Sequence, residues 1–231
     1  MTENNKDEFI EIARIKEEFI ANASHELKTP IASVRLAAES ALTSLERDDG
    51  MTKTFLEQIL RDSDRMNELI SDLLDLSAME SSDVFMETFD LHDVIANEIS
   101  YLSKQNKKRI SYKKKKVEIN ANFDDISLAV KNLIKNALKY SPPEENILIQ
   151  VEENDKSVRC SFQDFGSGIS KSDQEKIFER FYRVDKGRSR KVGGTGLGLA
   201  IVKHALDRNN AVIEIVSELD YGSTFTIVFE K

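Results

Sequence analysis

The chain has 231 residues, 40% hydrophobic and 32% charged, which is typical of a globular protein with one large or two small domains. Its net charge of -8 argues against nonspecific nucleic-acid binding as the main role, and its only cysteine, Cys160 in an alternating apolar run, excludes an internal disulfide and suggests a core thiol. No apolar run is long enough for a transmembrane helix, and the polar, acidic N-terminus is unlike a signal peptide. We therefore expect a cytoplasmic chain without a membrane segment, although a longer parent protein could carry an anchor.

The first predicted element is a long amphipathic helix over residues 6–46. Apolar residues recur at helical spacing, first at Phe9, Ile12, Phe19, Ala23 and Leu27, then at Ile31, Val34, Ala38, Ala41, Leu42 and Leu45. His25 lies on the opposite side of the helix from Ala23 and Leu27, so its imidazole is expected in solvent. Glu26 beside it can orient the ring or accept its proton. Pro30 removes a backbone hydrogen bond and predicts a kink or loosened turn. Taken alone, such a histidine is more often a plain surface residue than a catalytic one.

A second helix is predicted after a turn at residues 47–50. Ile59, Met66 and Leu73 form one heptad series, Leu69 and Leu76 another, and the pattern stops near Glu80. Two helices joined by a short turn have too little core to stand alone. Pairing with a second copy would complete a four-helix bundle, so we expect a homodimer. The alternative is a hairpin folded back on the chain's own second domain.

A polar break at residues 81–83 separates this hairpin from a mixed α and β pattern. The predicted division is a helical domain over 1–80, a linker over 81–89 and a second domain over 90–231. Helices are predicted over about 90–106, 124–140 and 196–207, and strands over 114–120, 147–153, 158–163, 212–217 and 224–229. This order indicates an α+β sandwich with helices on one face of a mixed sheet. The basic stretch over 107–116 could bind phosphate or a membrane, but a solvated strand edge is the favoured interpretation.

Four clusters in the second domain suggest a nucleotide site: the three described next and the segment IFERFYRVD, which lies between the last two. One helical face carries Asn132, Asn136 and Lys139 beside Tyr140, a set that suits Mg²⁺, phosphate and a base. Asp164 ends a strand at the segment DFGSGI, where it could accept from an adenine amino group, with Gly166, Gly168 and Ile169 following. The segment GGTGLGLAI runs into a helix whose first backbone N–H groups suit polyphosphate; it contains Gly194, Thr195, Gly196, Leu197 and Gly198.

Together and in this order the clusters resemble the N, G1, F and G2 boxes of the ATP-binding domain of sensor histidine kinases. The segment IFERFYRVD, residues 177–185, supplies the F box, and SHELKTP around His25 is similar to the H box. The five boxes span most of the chain. This resemblance implies a dimeric four-helix bundle followed by a Bergerat-type ATP-binding domain, with ATP and Mg²⁺ as cofactors and the receiver domain of a response regulator as partner.

The resemblance also implies residue roles. His25 is similar to the phosphoacceptor, Glu26 to the base that assists it, and Thr29 to the residue that positions water during dephosphorylation of the partner. Among the nucleotide-binding residues, Asn136 resembles the Mg²⁺ ligand and Asn132 a supporting amide, while Lys139 and Arg183 resemble contacts to phosphate, Arg183 to the γ-phosphate. Asp164 resembles the carboxylate that binds adenine, and Tyr140 resembles a wall of the adenine pocket. Phe178 and Phe181 resemble anchors of the lid, the segment between the two glycine boxes. Asn132 could equally be a helix-surface amide, and Phe178 and Phe181 could be core aromatics.

Three positions depart from the family pattern. Phe165 follows the G1 aspartate where Asn is common, Asn209 and Asn210 replace His-Gly after the last helix, and Ser127 stands where arginine is common. Asn tolerates left-handed backbone geometry, so the turn after the last helix should survive. Two other classes remain open: an ATPase of the gyrase, chaperone and mismatch-repair superfamily, which would have no use for HELKTP, and a non-enzymatic or phosphatase-only dimeric scaffold.

Overall fold

The computed structural model describes residues 3–48, 50–184 and 194–231, with side chains described at residue 14 and from residue 17 onward. The chain divides into two compact units. The first comprises Met1–Asp72 with Gly193–Thr195, and the second comprises Leu73–Val192 with Gly196–Lys231. Most of the F-to-G2 segment, residues 185–193, lies outside the described residues, as do the side chains of Phe9 and Ile12.

The first unit is an antiparallel helical hairpin, as predicted. Helix α1 spans Glu3–Arg47 and continues through Pro30, and helix α2 spans Thr52–Ser81. The connection uses left-handed backbone at Asp48 and Gly50. The antiparallel register is held by Ser44 with Thr52 near the turn (3.1 Å), Ser33 with Gln58, and Glu26 with Arg65 (3.0 Å).

The hairpin buries some apolar side chains and leaves several large ones in solvent. Ala37, Ala41 and Leu69 are buried. Several members of the predicted apolar stripes stay exposed, together with further large apolar residues of both helices: Ile31, Leu36, Leu42, Leu45, Leu56, Leu60 and Ile70. A single hairpin therefore does not cover its own apolar surface.

The second unit is built on two sheets. Strand β1, Glu87–Asp90, pairs antiparallel with β3, Glu118–Ala121. The larger sheet has the order β2-β4-β5-β7-β6, with β2 parallel to β4 and the other pairs antiparallel. Its strands are β2 Ile110–Tyr112, β4 Ile147–Glu153, β5 Ser157–Asp164, β6 Ala211–Glu218 and β7 Gly222–Glu230. The mixed sheet is as predicted, whereas β1 was not anticipated and β2 was expected only as a strand edge within residues 107–116.

The helices of this unit are α3 Leu91–Ser100, α4 Lys104–Lys108, α5 Phe123–Tyr140 and α6 Gly198–Arg208, with a 3₁₀ turn at Lys176–Phe178. Helix α5 contacts α3, α6 and β5. Alternate residues of β5 are buried, among them Phe162 and Cys160, and burial raises the pKa of the Cys160 thiol. The core thiol is thus confirmed, and the unit is the predicted α+β sandwich.

Two predicted elements were wrong in extent. The helix predicted over 90–106 is two helices, because Ser103 begins α4 by accepting from the Asn106 N–H (3.2 Å). The strand predicted from Lys114 begins only at Glu118. Residues 113–117 have no regular secondary structure. Strand β2 does form one edge of the sheet, as the strand-edge interpretation of 107–116 requires, although it contains none of the lysines.

Arg208 of α6 forms hydrogen bonds to α5 and to the backbone near the end of α2. Its guanidinium donates to the carboxylate of Asp125 (2.9 Å), to the backbone carbonyl of Met79 and to that of Ser82 (3.0 Å). Asn209 donates to the same carboxylate (3.1 Å) and accepts from the Asn122 N–H (2.6 Å). Asn210 adopts φ 52°, so the turn after α6 survives the Asn-Asn substitution, as predicted. Buried Asp125 is therefore paired from two successive residues of one turn.

Candidate functional site

His25 lies at an exposed position of α1, as its helical phase predicts. The next residue, Glu26, is partly buried and accepts from Arg65 of α2 at 3.0 Å. The Thr29 hydroxyl donates to the His25 carbonyl at 3.3 Å. Pro30 is buried and offers no N–H to the carbonyl four residues earlier, that of Glu26. Arg65 was not predicted from the sequence. An antiparallel register that places residue 26 opposite residue 65 would have indicated it.

Helix α5 positions the two asparagines of the nucleotide cluster. Asn122 begins the helix by accepting from the Asp125 N–H at 2.9 Å. Asn132 is buried, and its amide donates to the Leu128 carbonyl at 2.9 Å, so it is not a helix-surface amide. A Cβ at Gly198 would lie 2.9 Å from the Asn132 oxygen, so α6 begins directly against this side chain. Asn136, one turn later, is half-buried. Of this pair, only Asn136 is partly exposed.

The end of α5 presents a cation and an aromatic ring. The Lys139 Nζ lies 5.1 Å from the centroid of the half-exposed Tyr140 ring. Arg109, which sequence reasoning missed, donates to the carbonyls of Leu138 and Ser141 (both 3.2 Å) and of Pro142 (2.7 Å). A cation at these carbonyls complements the negative end of the helix dipole and fixes where α5 stops.

Asp164 is the buried carboxylate of the candidate site. It ends β5, and its Oδ1 accepts from the Gly166 N–H (2.9 Å) and the Ser223 N–H (3.2 Å). Burial raises the pKa of Asp164, while those two hydrogen bonds act in the opposite direction. Sequence reasoning missed Gly222, where φ is +94° and a Cβ would lie 2.2 Å from the Asp164 carbonyl oxygen. The hairpin from β6 to β7 therefore packs directly behind this carboxylate.

The glycines after Asp164 are required by close backbone contacts. A Cβ at Gly166 would lie 2.5 Å from the Tyr140 carbonyl oxygen. At Gly168, φ is +66° and a Cβ would lie 1.9 Å from the Glu218 carbonyl oxygen. Ile169 follows, and its N–H donates to Ser217 at 2.8 Å. The G1 segment thus joins the end of α5 to the hairpin from β6 to β7.

The F segment meets the start of α6 through its backbone. The Phe181 N–H donates to the Gly196 carbonyl at 2.9 Å, and Phe181 itself has φ 65°. Such a conformation is strained for an aromatic residue and is held by its surroundings. Phe178 and Phe181 are both half-buried, and Tyr182 donates to Asp173 at 2.7 Å. Arg183 lies two residues beyond Phe181 and is half-buried.

Helix α6 begins without a side-chain cap and without an acidic residue in its first turn. Leu197 is fully buried just before it, and Gly196 has φ +76°. The first N–H groups of an uncapped helix attract anions. Gly194 and Thr195, which the sequence places in the same cluster, group with the first unit.

A cavity of about 620 Å³ lies on another face of α5, against α3 and α4. Lys131, Lys135 and Leu138 contribute to its lining, and it shares only Lys139 with the predicted nucleotide residues. Because Asn136 and Asp164 do not line it, we do not assign it to the nucleotide.

Comparison with known proteins agrees with this geometry. Residues 15–82 match the His Kinase A phospho-acceptor domain, and residues 121–231 match the histidine kinase-, DNA gyrase B- and HSP90-like ATPase family. The chain is 33% identical to the sensor-like histidine kinase SenX3 of Mycolicibacterium smegmatis over 97% of its own length and 60% of that protein's. Together these matches show that the chain contains a sensor histidine kinase catalytic core.

Other sensor histidine kinases match at similar levels. Identity is 36% to the phosphate regulon sensor protein PhoR of Pseudomonas aeruginosa, over 95% of this chain and 51% of that protein. The chain spans between about a third and three fifths of the length of the curated relatives it matches. A crystal structure of the histidine kinase ThkA in complex with the response regulator TrrA shares the fold, with a TM-score of 0.75 and 20% identity, covering 100% of this chain and 67% of that one.

Within the described residues, no helix is both long and apolar enough to cross a membrane.

Proposed function

We propose that this sensor histidine kinase chain uses ATP to phosphorylate His25 and passes the phosphoryl group to an aspartate on a response-regulator receiver domain. The observation that carries the proposal is an exposed imidazole beside a carboxylate on a helical hairpin, in a chain whose second unit has the ATPase fold with Asp164 buried at the end of β5. The solved complex of the histidine kinase ThkA with the response regulator TrrA supports the choice of a response regulator as partner.

The proposed reaction transfers one phosphoryl group to nitrogen. The unprotonated ring nitrogen of His25 attacks the γ-phosphorus, a P–N bond forms, the bond to the β–γ bridging oxygen breaks and ADP leaves. The proton on the other ring nitrogen passes to Glu26. Arg65 donates to one carboxylate oxygen of Glu26 and so fixes the orientation of this base. Thr29, one turn from the histidine, would position water when the phosphorylated regulator is hydrolysed.

The second unit supplies charge and orientation for the nucleotide. Asp164 would accept from the adenine amino group, with Tyr140 as one wall of the base pocket. Lys139, Arg183 and the first N–H groups of α6 would contact phosphates. The base side of the nucleotide site would be shaped by Gly166, Gly168 and Ile169, and the lid between the two glycine segments would be anchored by Phe178 and Phe181. The turn at the phosphates would consist of Gly194, Thr195, Gly196, Leu197 and Gly198, with Asn132 packed against Gly198.

Magnesium fits the donor set through a single protein oxygen. No group of three or more His, Cys, Asp or Glu residues in the described part of the chain could hold a metal ion. Asn136 offers a half-buried amide oxygen. Mg²⁺ in nucleotide sites commonly takes one or two protein oxygens and fills its remaining positions with phosphates and water. Asn136 is therefore the proposed protein ligand, and the ion would neutralise phosphate charge during transfer.

Labelling with ATP tests the proposal. With γ-labelled ATP and Mg²⁺, the chain should acquire label that is labile to acid and stable to alkali, whereas α-labelled ATP should leave none. Adding a receiver domain should move the label to an acyl phosphate on that partner. Steady release of free phosphate without any labelled protein would instead indicate an ATPase of the wider superfamily. Failure to bind ATP at all would indicate a scaffold.

We also propose a homodimer built on the hairpin. The exposed apolar residues of α1 and α2 need a partner surface, and a second hairpin would complete a four-helix bundle. Sedimentation equilibrium should give twice the 26.2 kDa chain mass at micromolar concentration. Replacing exposed Leu42 and Leu60 by Glu should shift the chain toward monomer, whereas the same change at exposed Val212 and Val216 of β6 should not. A wild-type chain that stays monomeric would contradict the proposal.

A further inference from the structure

A dense cluster of lysines interrupts an otherwise acidic chain. Residues 104–116 contain seven lysines and Arg109 but no Asp or Glu, although the whole chain carries -8. Six of the seven are exposed and Lys115 is half-buried. We call the seven the lysine cluster: Lys104, Lys107, Lys108, Lys113, Lys114, Lys115 and Lys116.

The sheet edge does not account for these lysines. Strand β2 is only Ile110–Tyr112, and the lysines flank it on α4 and on the loop over 113–117. One or two charges suffice to protect an edge of three residues. Arg109 is the single cation of the segment with a clear structural role, since it caps α5. The lysine cluster therefore exceeds what folding requires.

The loop that carries four of the lysines is held in place. The Val117 N–H donates to Asp90 at 3.1 Å, and the Leu91 N–H donates to the Val117 carbonyl at 2.9 Å. The backbone is therefore fixed at 117, directly after the exposed side chains at 113, 114 and 116.

Two carboxylates whose pKa is lowered by charges of the lysine cluster already have other hydrogen-bond donors. Lys115 helps to lower the pKa of Glu153, whose carboxylate accepts from Lys231 at 2.7 Å. Lys116 helps to lower the pKa of Asp90, whose carboxylate accepts from the His92 N–H at 3.0 Å and from the Val117 N–H at 3.1 Å. Within the described residues, the lysine cluster forms no ion pair with a carboxylate within 4.0 Å. Its positive charge therefore remains available to an outside partner.

The two groups of lysines lie close enough to act together. They are separated by a strand of three residues, about 10 Å long. That distance is comparable to the Debye length at about 0.1 M salt, so their fields add at a surface. Tyr101, an exposed aromatic residue, comes shortly before α4 and has the amphipathic character suited to a membrane interface.

We propose that the lysine cluster binds the surface of an anionic lipid bilayer. Clusters of four to eight lysines without a shaped pocket suit a delocalised charge such as a lipid surface. The cluster is made of flexible side chains on one helical turn and one loop, which offers little shape for a specific acidic protein. The site would orient the ATP-binding domain at a membrane surface, independently of the kinase chemistry.

Vesicle co-sedimentation of the 231-residue chain tests this proposal. The chain should bind vesicles in which a third of the lipid is phosphatidylserine and should bind pure phosphatidylcholine vesicles poorly. The variant Lys113→Gln/Lys114→Gln/Lys116→Gln should lose about 100-fold in partition coefficient. The control, Lys53→Gln/Lys171→Gln/Lys203→Gln, removes three exposed charges elsewhere and should lose less than about threefold. Raising the salt from about 0.1 M to about 1 M should abolish binding, because the Debye length falls to about 3 Å.

Each contrary result overturns the proposal. Equal losses in the two triple variants would place the effect in net charge, and equal binding to both vesicle types would exclude electrostatic recognition of lipid. Tighter lysine-dependent binding of a DNA duplex or a polyglutamate peptide than of the vesicles would assign the cluster to a nucleic acid or an acidic protein. Both variants should keep wild-type thermal stability and wild-type labelling from γ-labelled ATP, so failure of the lipid proposal is distinguishable from failure of the kinase proposal.

Discussion

The variant His25→Gln should lose at least about 1000-fold of the phosphoryl label that the wild-type chain acquires from γ-labelled ATP, since removal of the nucleophile removes the step itself. Glutamine keeps a polar side chain with good helix propensity at an exposed position, so stability should change by less than about 0.5 kcal/mol. Affinity for ATP should stay at the wild-type level because His25 is not among the residues proposed to bind the nucleotide. The measurement is scintillation counting of acid-labile protein label.

The chain supplies a matched control for this experiment. It contains only three histidines, and His92, which contacts the Tyr112 hydroxyl through Nδ1 at 3.0 Å, lies far from His25 along the chain. His92→Gln should therefore label like the wild type. Glu26→Gln should keep the acceptor but slow labelling by about 100-fold, the size expected for a general base. Equal acid-labile labelling of His25→Gln and wild type would refute the assignment of the acceptor.

The long elements could be predicted because their patterns extend over many residues. The hairpin, α5 and the four strands β4 to β7 carry apolar periodicities long enough to separate helix from strand. The short elements could not. Strands β1 and β2 have four and three residues, and pairing with β3 and β4 decides their conformation. The break between α3 and α4 had a local signal in Ser103, a good N-cap residue within the predicted helix.

The residues of the candidate site were readable from the sequence, but their surroundings were not. The exposure of His25 followed from helical phase alone. By contrast, the burial of Asn132 depends on α6, which begins at Gly198, and the support of Asp164 comes from Gly222 and Ser223. These contacts join residues about sixty positions apart. The first follows from the packing of α6 on α5 and the second from the pairing of β5 with β7, so neither follows from local pattern. Ser127, where the family commonly has arginine, has a buried hydroxyl with no partner in the described structure, while Arg208 pairs with Asp125.

The variant Asp164→Asn should separate binding from stability at the candidate nucleotide site. Asparagine retains Oδ1, which accepts from Gly166 and Ser223, but replaces the other oxygen by an amide that cannot accept from the adenine amino group. The variant loses the charge-assisted hydrogen bond to the adenine amino group and places a second N–H donor, its own amide, against that group. Together these changes should weaken ATP binding by about 100-fold. Titration calorimetry measures this loss. Asp155→Asn, the same change on the exposed turn between β4 and β5, should bind ATP like the wild type.

The same substitution should make the nucleotide-free protein more stable at neutral pH. Because burial raises the pKa of Asp164, the folded state holds this proton more tightly than the unfolded state does. The resulting stabilisation is present below the unfolded pKa of about 3.9 and is lost as the pH rises through the folded value. At pH 7 the ionised carboxylate therefore lowers the free energy of unfolding, and asparagine removes that penalty. The advantage of Asp164→Asn in urea midpoint should shrink as the pH falls toward 4.

A variant less stable than wild type at pH 7 would mean that the hydrogen bonds from Gly166 and Ser223 outweigh the cost of burying the charge. Wild-type ATP affinity of the variant would remove Asp164 from the base pocket. Greater stability together with weaker binding is the combination expected of a carboxylate kept buried for its ligand.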